Sequence, residues 1–135
     1  MLLRAARSSW PLPLKLFANR RSLLGIENFI SALRFVLSAP ETIGATYVVA
    51  DPGMPPSMAE LITMMREAQG RQPRLVPMPP AFLELPLRLL GRSDLWRRIG
   101  GNLRVDPGKL IAAGWRPAQD TRTGIAAMVQ AAQTA

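Results

Sequence analysis

Arg20 and Arg21 stand together in ANRRSLLGIENFISAL (residues 18–33), ahead of a short apolar run that opens into a helical pattern. A guanidinium presents its N–H donors in a planar fork that matches two oxygens of a phosphate or carboxylate. The pair therefore has two readings: solvated flanks of a strand, or holders of an anionic ligand. The rest of the chemistry is bounded by what is missing. The 135 residues contain no cysteine and no histidine, which excludes disulfides, thiolate zinc sites, Cys/His nucleophiles and imidazole bases. Any reaction falls to Asp, Glu, Lys, Arg, Ser or Tyr, and Tyr47 is the single tyrosine.

Two lysines (Lys15, Lys109) and 15 arginines outweigh 9 acids, giving a net charge of +8. Such a balance attracts polyanions, phosphates or acidic membranes without choosing among them. The arginines are scattered, only 6% of residues are aromatic, and no Cys/His finger or aromatic-glycine RNA motif is present, so nucleic acid is not an expected partner. Prolines and arginines interrupt every apolar run before the roughly 20 residues that span a bilayer, so no transmembrane segment is expected. The first 21 residues carry no acid, a composition shared with organelle transit peptides, but PLPL breaks the helix such a peptide needs. The preferred reading there is a helix end leading into a strand.

The elements that must position these groups follow from periodicity and punctuation. A short basic helix is expected over residues 1–9, then an extended WPLPL segment set by Pro11 and Pro13. Residues 22–26 read as a short strand. Phe29, Ile30, Leu33, Val36 and Leu37 recur at helical spacing, predicting a helix that buries this face and stops at Pro40. Residues 46–50, TYVVA, read as a buried strand, and DPGMPP behind them as a turn. Ser57 and Glu60 in SMAE form a capping box ahead of Leu61, Ile62, Met64, Met65 and Ala68, with Gly70 as a left-handed cap. Another strand is expected over 74–78, and a helical stretch over PPAFLELPLRLLG, broken at Pro86 and closed by Gly91. Residues 103–105 read as extended. Asp106 is expected to cap a helix beginning at Pro107 and ending at Gly114, and a last helix runs from Thr121 or Arg122 to about Ala132. Met54, Met58, Met64, Met65 and Met78 read as adaptable core.

Short strands alternating with helices predict an α/β or α+β arrangement, in one domain over residues 1–135. A sheet of three short strands leaves its edges and the helix faces poorly covered, so the chain is expected to pack on something larger.

PLPL, NRRSLLGIENFISAL, TYVVAD, SMAELITMMREAQGR, LRVDPGKLIAAGWRP and the final helix, in this order, resemble the carboxyl-terminal part of extended short-chain dehydrogenase/reductases. Within that group the chain is similar to the NAD-dependent epimerase/dehydratase family, which includes nucleotide-sugar 4-epimerases. The resemblance covers nearly the whole sequence. It implies the substrate-side part of a Rossmann-type α/β enzyme, cytoplasmic, whose substrate is a nucleotide sugar such as a UDP-sugar and whose cofactor is NAD. The family's glycine-rich NAD turn and its Tyr/Lys catalytic pair have no counterpart here: four positions after Tyr47 stands Asp51, not a lysine. The resemblance therefore implies no NAD and no catalysis by this chain alone, and as partner a separate dinucleotide-binding half or further copies of the chain. The alternatives are a noncatalytic interaction module that packs on another chain, and a basic binder of anionic surfaces.

The same resemblance places Arg21 where the family contacts the diphosphate of the nucleotide sugar, with Arg20 as a flanking charge. It places Leu12 and Leu14 where backbone groups meet the nucleotide base, although Lys15 replaces a common glycine. Arg97, Arg98 and Arg104 fall where a second phosphate or ribose contact arises. Gly25 stands where the family often has Tyr or His, and Glu27 where it has Asp. Glu27, Asp106 and Lys109 read as structural.

Overall fold

The computed structural model describes residues 2–79, 82 and 101–134. The chain, expected as one domain, divides into two compact units, each assembled from two stretches of sequence: Met1–Arg21 with Pro56–Leu103, and Ser22–Pro55 with Arg104–Ala135.

In the first unit, α1 (Leu2–Arg7) packs on α3 (Met58–Glu67). The α3 helix starts where local chemistry dictates. The Ser57 hydroxyl accepts the Glu60 amide at 3.2 Å while the Glu60 carboxylate accepts the Ser57 amide at 2.6 Å, so two of the helix's orphan donors are satisfied reciprocally. It ends in a Schellman closure: Gly70 takes φ +69°, its amide donates to Glu67, and the Arg71 amide donates back to the Arg66 carbonyl at 2.9 Å. Among the described residues of this unit, Ala6, Phe17, Met58, Leu61, Ile62 and Met65 are buried apolar side chains.

The second unit contains α2 (Ile26–Ser38), a 3-10 turn (Pro40–Thr42), α4 (Gly108–Ala112) and α5 (Thr121–Thr134). Pro40 disfavours helical geometry at the residue before it, and Ala39 is extended at φ −101°, ψ 105°. Ala32, Leu110 and Trp115 form the core, with Phe35, Val36, Tyr47 and Val49 packed around it. Full burial of side chains such as Trp115 and Leu110 contributes on the order of 2–3 kcal/mol each.

Several expectations change. The face that α2 buries carries Asn28 and Ala32, with Phe35 and Val36 partly covered, whereas Ile26, Phe29, Leu33 and Leu37 are exposed. The predicted strand over 22–26 is an extended lead-in, since Ile26 already belongs to α2. Residues 74–78 and 103–105 each make a single bridge, Leu75 with Leu12 and Leu103 with Arg21. Residues 46–50 form no strand and make no bridge among the described residues. Each of these segments has the side-chain chemistry of a strand but too few backbone partners for a ladder. The helix after Asp106 begins at Gly108, and Asp106 accepts the Gly108 amide at 2.8 Å from just outside it. Most of PPAFLELPLRLLG lies outside the described residues.

Candidate functional site

The segment that carries Arg20 and Arg21 is held from two sides. On one side Arg20 bridges Ser57, the Arg21 amide donates to Pro56 at 3.1 Å, and Met58 donates to Asn19 at 3.3 Å. On the other, Leu103 donates to the Arg20 carbonyl at 3.0 Å and the Arg20 amide donates to Oδ1 of Asn102 at 2.7 Å. Both arginine stems therefore leave a backbone with little freedom to move.

The two guanidinium groups have different work. Nη1 of Arg20 lies 3.1 Å from Oε2 of Glu60, the oxygen that also accepts the Ser57 amide. Arg20 is thus tied to the start of α3. The Glu60 carboxyl is held below its usual value, first by the Ser57 amide and further by the Ser57 hydroxyl and Arg20, against an opposing effect of burial. Arg21 is half-buried, and its Nε donates to the Gly101 carbonyl at 3.3 Å, which orients the plane of the guanidinium. A partly buried, oriented guanidinium on a fixed stem can recognise a phosphate through paired charge-assisted hydrogen bonds.

Leu12 and Leu14 lie in the same unit, but their backbone groups are engaged. The Leu12 amide donates to Arg74 at 3.1 Å and its carbonyl accepts from Val76 at 3.0 Å. The Leu14 amide donates to Leu12 at 2.9 Å and its carbonyl accepts from Phe17 at 3.0 Å. The Leu12 carbonyl accepts from both Val76 and Leu14, so of these two residues a base would find a free lone pair only on the Leu14 carbonyl, a narrower contact than the sequence suggested. Arg104 belongs to the other unit, where it is exposed and lines a shallow cleft of about 350 Å³ with Gly53, Pro55, Asp106 and Ile111. Arg97 and Arg98 lie outside the described residues. Tyr47 packs against the second unit's core, with Nζ of Lys109 at 5.0 Å from its ring centroid and 3.0 Å from the Thr46 carbonyl. Lys109 there staples the 46–50 segment to α4.

Sequence reasoning missed two buried polar centres. Asn28 is fully buried: its Nδ2 donates to Asp51 at 2.7 Å and to the Gln119 carbonyl at 2.9 Å, and its Oδ1 accepts the amides of Ala118 and Gln119. Asp51 also accepts the Gly25 amide and the Thr121 hydroxyl, so one carboxylate joins the starts of α2 and α5. Arg66, 1% exposed, is the other centre; it donates to the carbonyls of Ser8, Trp10, Pro73 and Arg74. The available signal was positional, since Arg66 follows Ile62 by four residues and therefore shares the apolar side of α3. Among the described residues no group of acids could hold a metal ion, and no helix is long and apolar enough to cross a membrane.

The chain is similar to a UDP-glucose 4-epimerase from Vibrio cholerae. The two are 29% identical over 132 residues, covering 96% of this chain. The chain spans about 40% of the length of that relative. No family model matches the sequence, and no solved structure matches it.

Proposed function

We propose that this chain is the nucleotide-sugar-binding part of a sugar epimerase or dehydratase of the extended short-chain dehydrogenase/reductase type, an α/β segment that acts with a dinucleotide-binding half. The observation that carries the reading is the similarity to a UDP-glucose 4-epimerase along nearly the whole chain. The fixed backbone and oriented guanidinium of Arg21 support it, because the diphosphate of a nucleotide sugar is the anion such a group suits. Arg21 is the principal substrate contact in this reading, with the Leu14 carbonyl of the same unit as a secondary one.

The residues present do not fit NAD. The sequence holds no G-x-G-x-x-G pattern, and four positions after its single tyrosine, Tyr47, stands Asp51 rather than a lysine. No step through NAD is assigned to this chain, and its own contribution is to bind and orient the substrate in the cytoplasm. Calorimetric titration with UDP-glucose tests the reading. Saturable binding that Arg21→Ala weakens by about 1.5–3 kcal/mol supports it, the loss expected for a charged hydrogen bond. Absence of binding, even with a dinucleotide-binding half added, refutes it.

A second reading has its own observation. Ile26, Phe29, Leu33 and Leu37 form an exposed apolar stripe along α2, as expected of a noncatalytic module that packs on another chain. Masking the stripe with Leu33→Lys and Leu37→Glu would improve the solubility of such a module and leave UDP-glucose titrations unchanged.

A further inference from the structure

The first unit concentrates positive charge in a second place, remote in sequence from Arg21. A cleft of about 280 Å³ is lined by Ser8, Ser9, Arg66, Arg71, Gln72 and Arg74. Its three arginines are brought together by the end of α3. The Schellman closure at Gly70 folds Arg71 back over the last turn, where its amide reaches the Arg66 carbonyl. Arg74 follows in the left-handed region at φ +41°, a conformation that costs a residue with a Cβ on the order of 1–2 kcal/mol.

Among the described residues no carboxylate lies within ion-pair distance of Arg66, Arg71 or Arg74. Among the described residues Arg66 meets only neutral carbonyls, and its Nε is buried with no acceptor. Arg71 donates to the Arg7 carbonyl. Burial, and then repulsion from Arg71 and Arg74, pull the Arg66 guanidinium below its ordinary value. Three like charges beside a buried, undersatisfied donor are an arrangement that folding disfavours and that an anion would relieve.

We propose that this cleft is an anion site for a dianionic phosphate group, whether free phosphate or the terminal group of a phosphomonoester. Arg71 and Arg74 supply exposed guanidinium forks, Arg66 a buried fixed charge, and the Ser8 and Ser9 hydroxyls and the Gln72 amide lie on the same walls to complete the oxygen contacts. The volume admits a phosphate with room for a small attached group. The site is separate from the Arg21 reading and stands or falls without it.

The test is calorimetric titration of the whole chain with inorganic phosphate and with glycerol phosphate, at constant ionic strength. One saturable site is expected for either probe, with affinity lowered about tenfold by each of Arg71→Gln and Arg74→Gln, as loss of one charged hydrogen bond predicts. Arg74→Gln removes no hydrogen bond that the side chain makes within the described residues, and far-ultraviolet circular dichroism verifies that each variant is folded. The same titrations in an Arg21→Ala background separate this cleft from any phosphate bound at Arg21, and the saturable site is expected to persist there. The proposal is overturned if neither probe saturates, if both glutamine variants bind like the parent, or if Arg21→Ala alone abolishes binding.

Discussion

Arg20 and Arg21 are adjacent and chemically identical, yet the fold gives them different tasks. Arg20 closes onto Glu60 and becomes part of a helix start, whereas Arg21 is oriented by the Gly101 carbonyl. Nothing in the dipeptide distinguishes them; the distinction comes from segments 40 and 80 residues away in sequence. In the second unit Asn28 makes four hydrogen bonds to three residues with one amide. Asn28→Ala leaves buried amides and a carboxylate without their partner and should destabilise the chain on the order of 3 kcal/mol, measured by urea unfolding. Asn28→Asp should be no milder, because it places a second carboxylate beside Asp51.

At the scale of elements, α3 is where local sequence and structure agree most closely. Its capping box, apolar positions and glycine terminator all act within a few residues of one another, so no distant partner is needed to specify them. Ser57→Ala should cost about 1 kcal/mol of stability in thermal or urea unfolding. The Glu60 carboxyl is lowered in the folded state from its usual value of 4.5. Its contribution is therefore complete above that pH and is lost as pH falls through the lowered folded value. Melting temperatures followed from neutral pH into acid should drop less steeply in Glu60→Gln than in the parent. An identical slope in the two would show that Glu60 carries none of the acid sensitivity. The α2 helix teaches the opposite lesson. Its length and its stop at Pro40 were legible, but its apolar residues occupy more of the circumference than one core can cover. Periodicity alone placed Phe29, Leu33 and Leu37 on the buried face beside Val36, whereas contact with Leu110 and Trp115 kept Val36 and added Ala32 and Phe35.

For the whole molecule, the net charge of +8 means that the compact state works against its own repulsion. Raising sodium chloride from low to about 0.3 M screens that repulsion and should raise the melting temperature, whereas a chain held chiefly by ion pairs would lose stability. The four short segments with strand chemistry make at most single bridges among the described residues, so the α/β reading of the chain rests on their composition and on the proposed partner half. Along α2, Ile26, Phe29, Leu33 and Leu37 are exposed as well. Adding a dinucleotide-binding half should protect the amides of residues 46–50 from hydrogen exchange, and unchanged exchange there would count against that half as the missing neighbour.

The sequence by itself determined what depends on near neighbours and on totals: where α3 begins and ends, where α2 stops, the glycine that closes α4, the positive charge and the absence of thiol and imidazole chemistry. Only the tertiary structure decided that Arg20 closes onto Glu60, which arc of α2 is buried, and that Asn28, Asp51 and Arg66 are polar centres of two separate units. The reason is range. A cap or a proline acts across three or four residues of one chain segment, whereas Asn28 finds Gln119 91 residues away and Arg66 finds Ser8 58 residues away. Such partners satisfy donors that any number of other acceptors could have satisfied, so their identity is settled only when packing brings particular backbone carbonyls within reach.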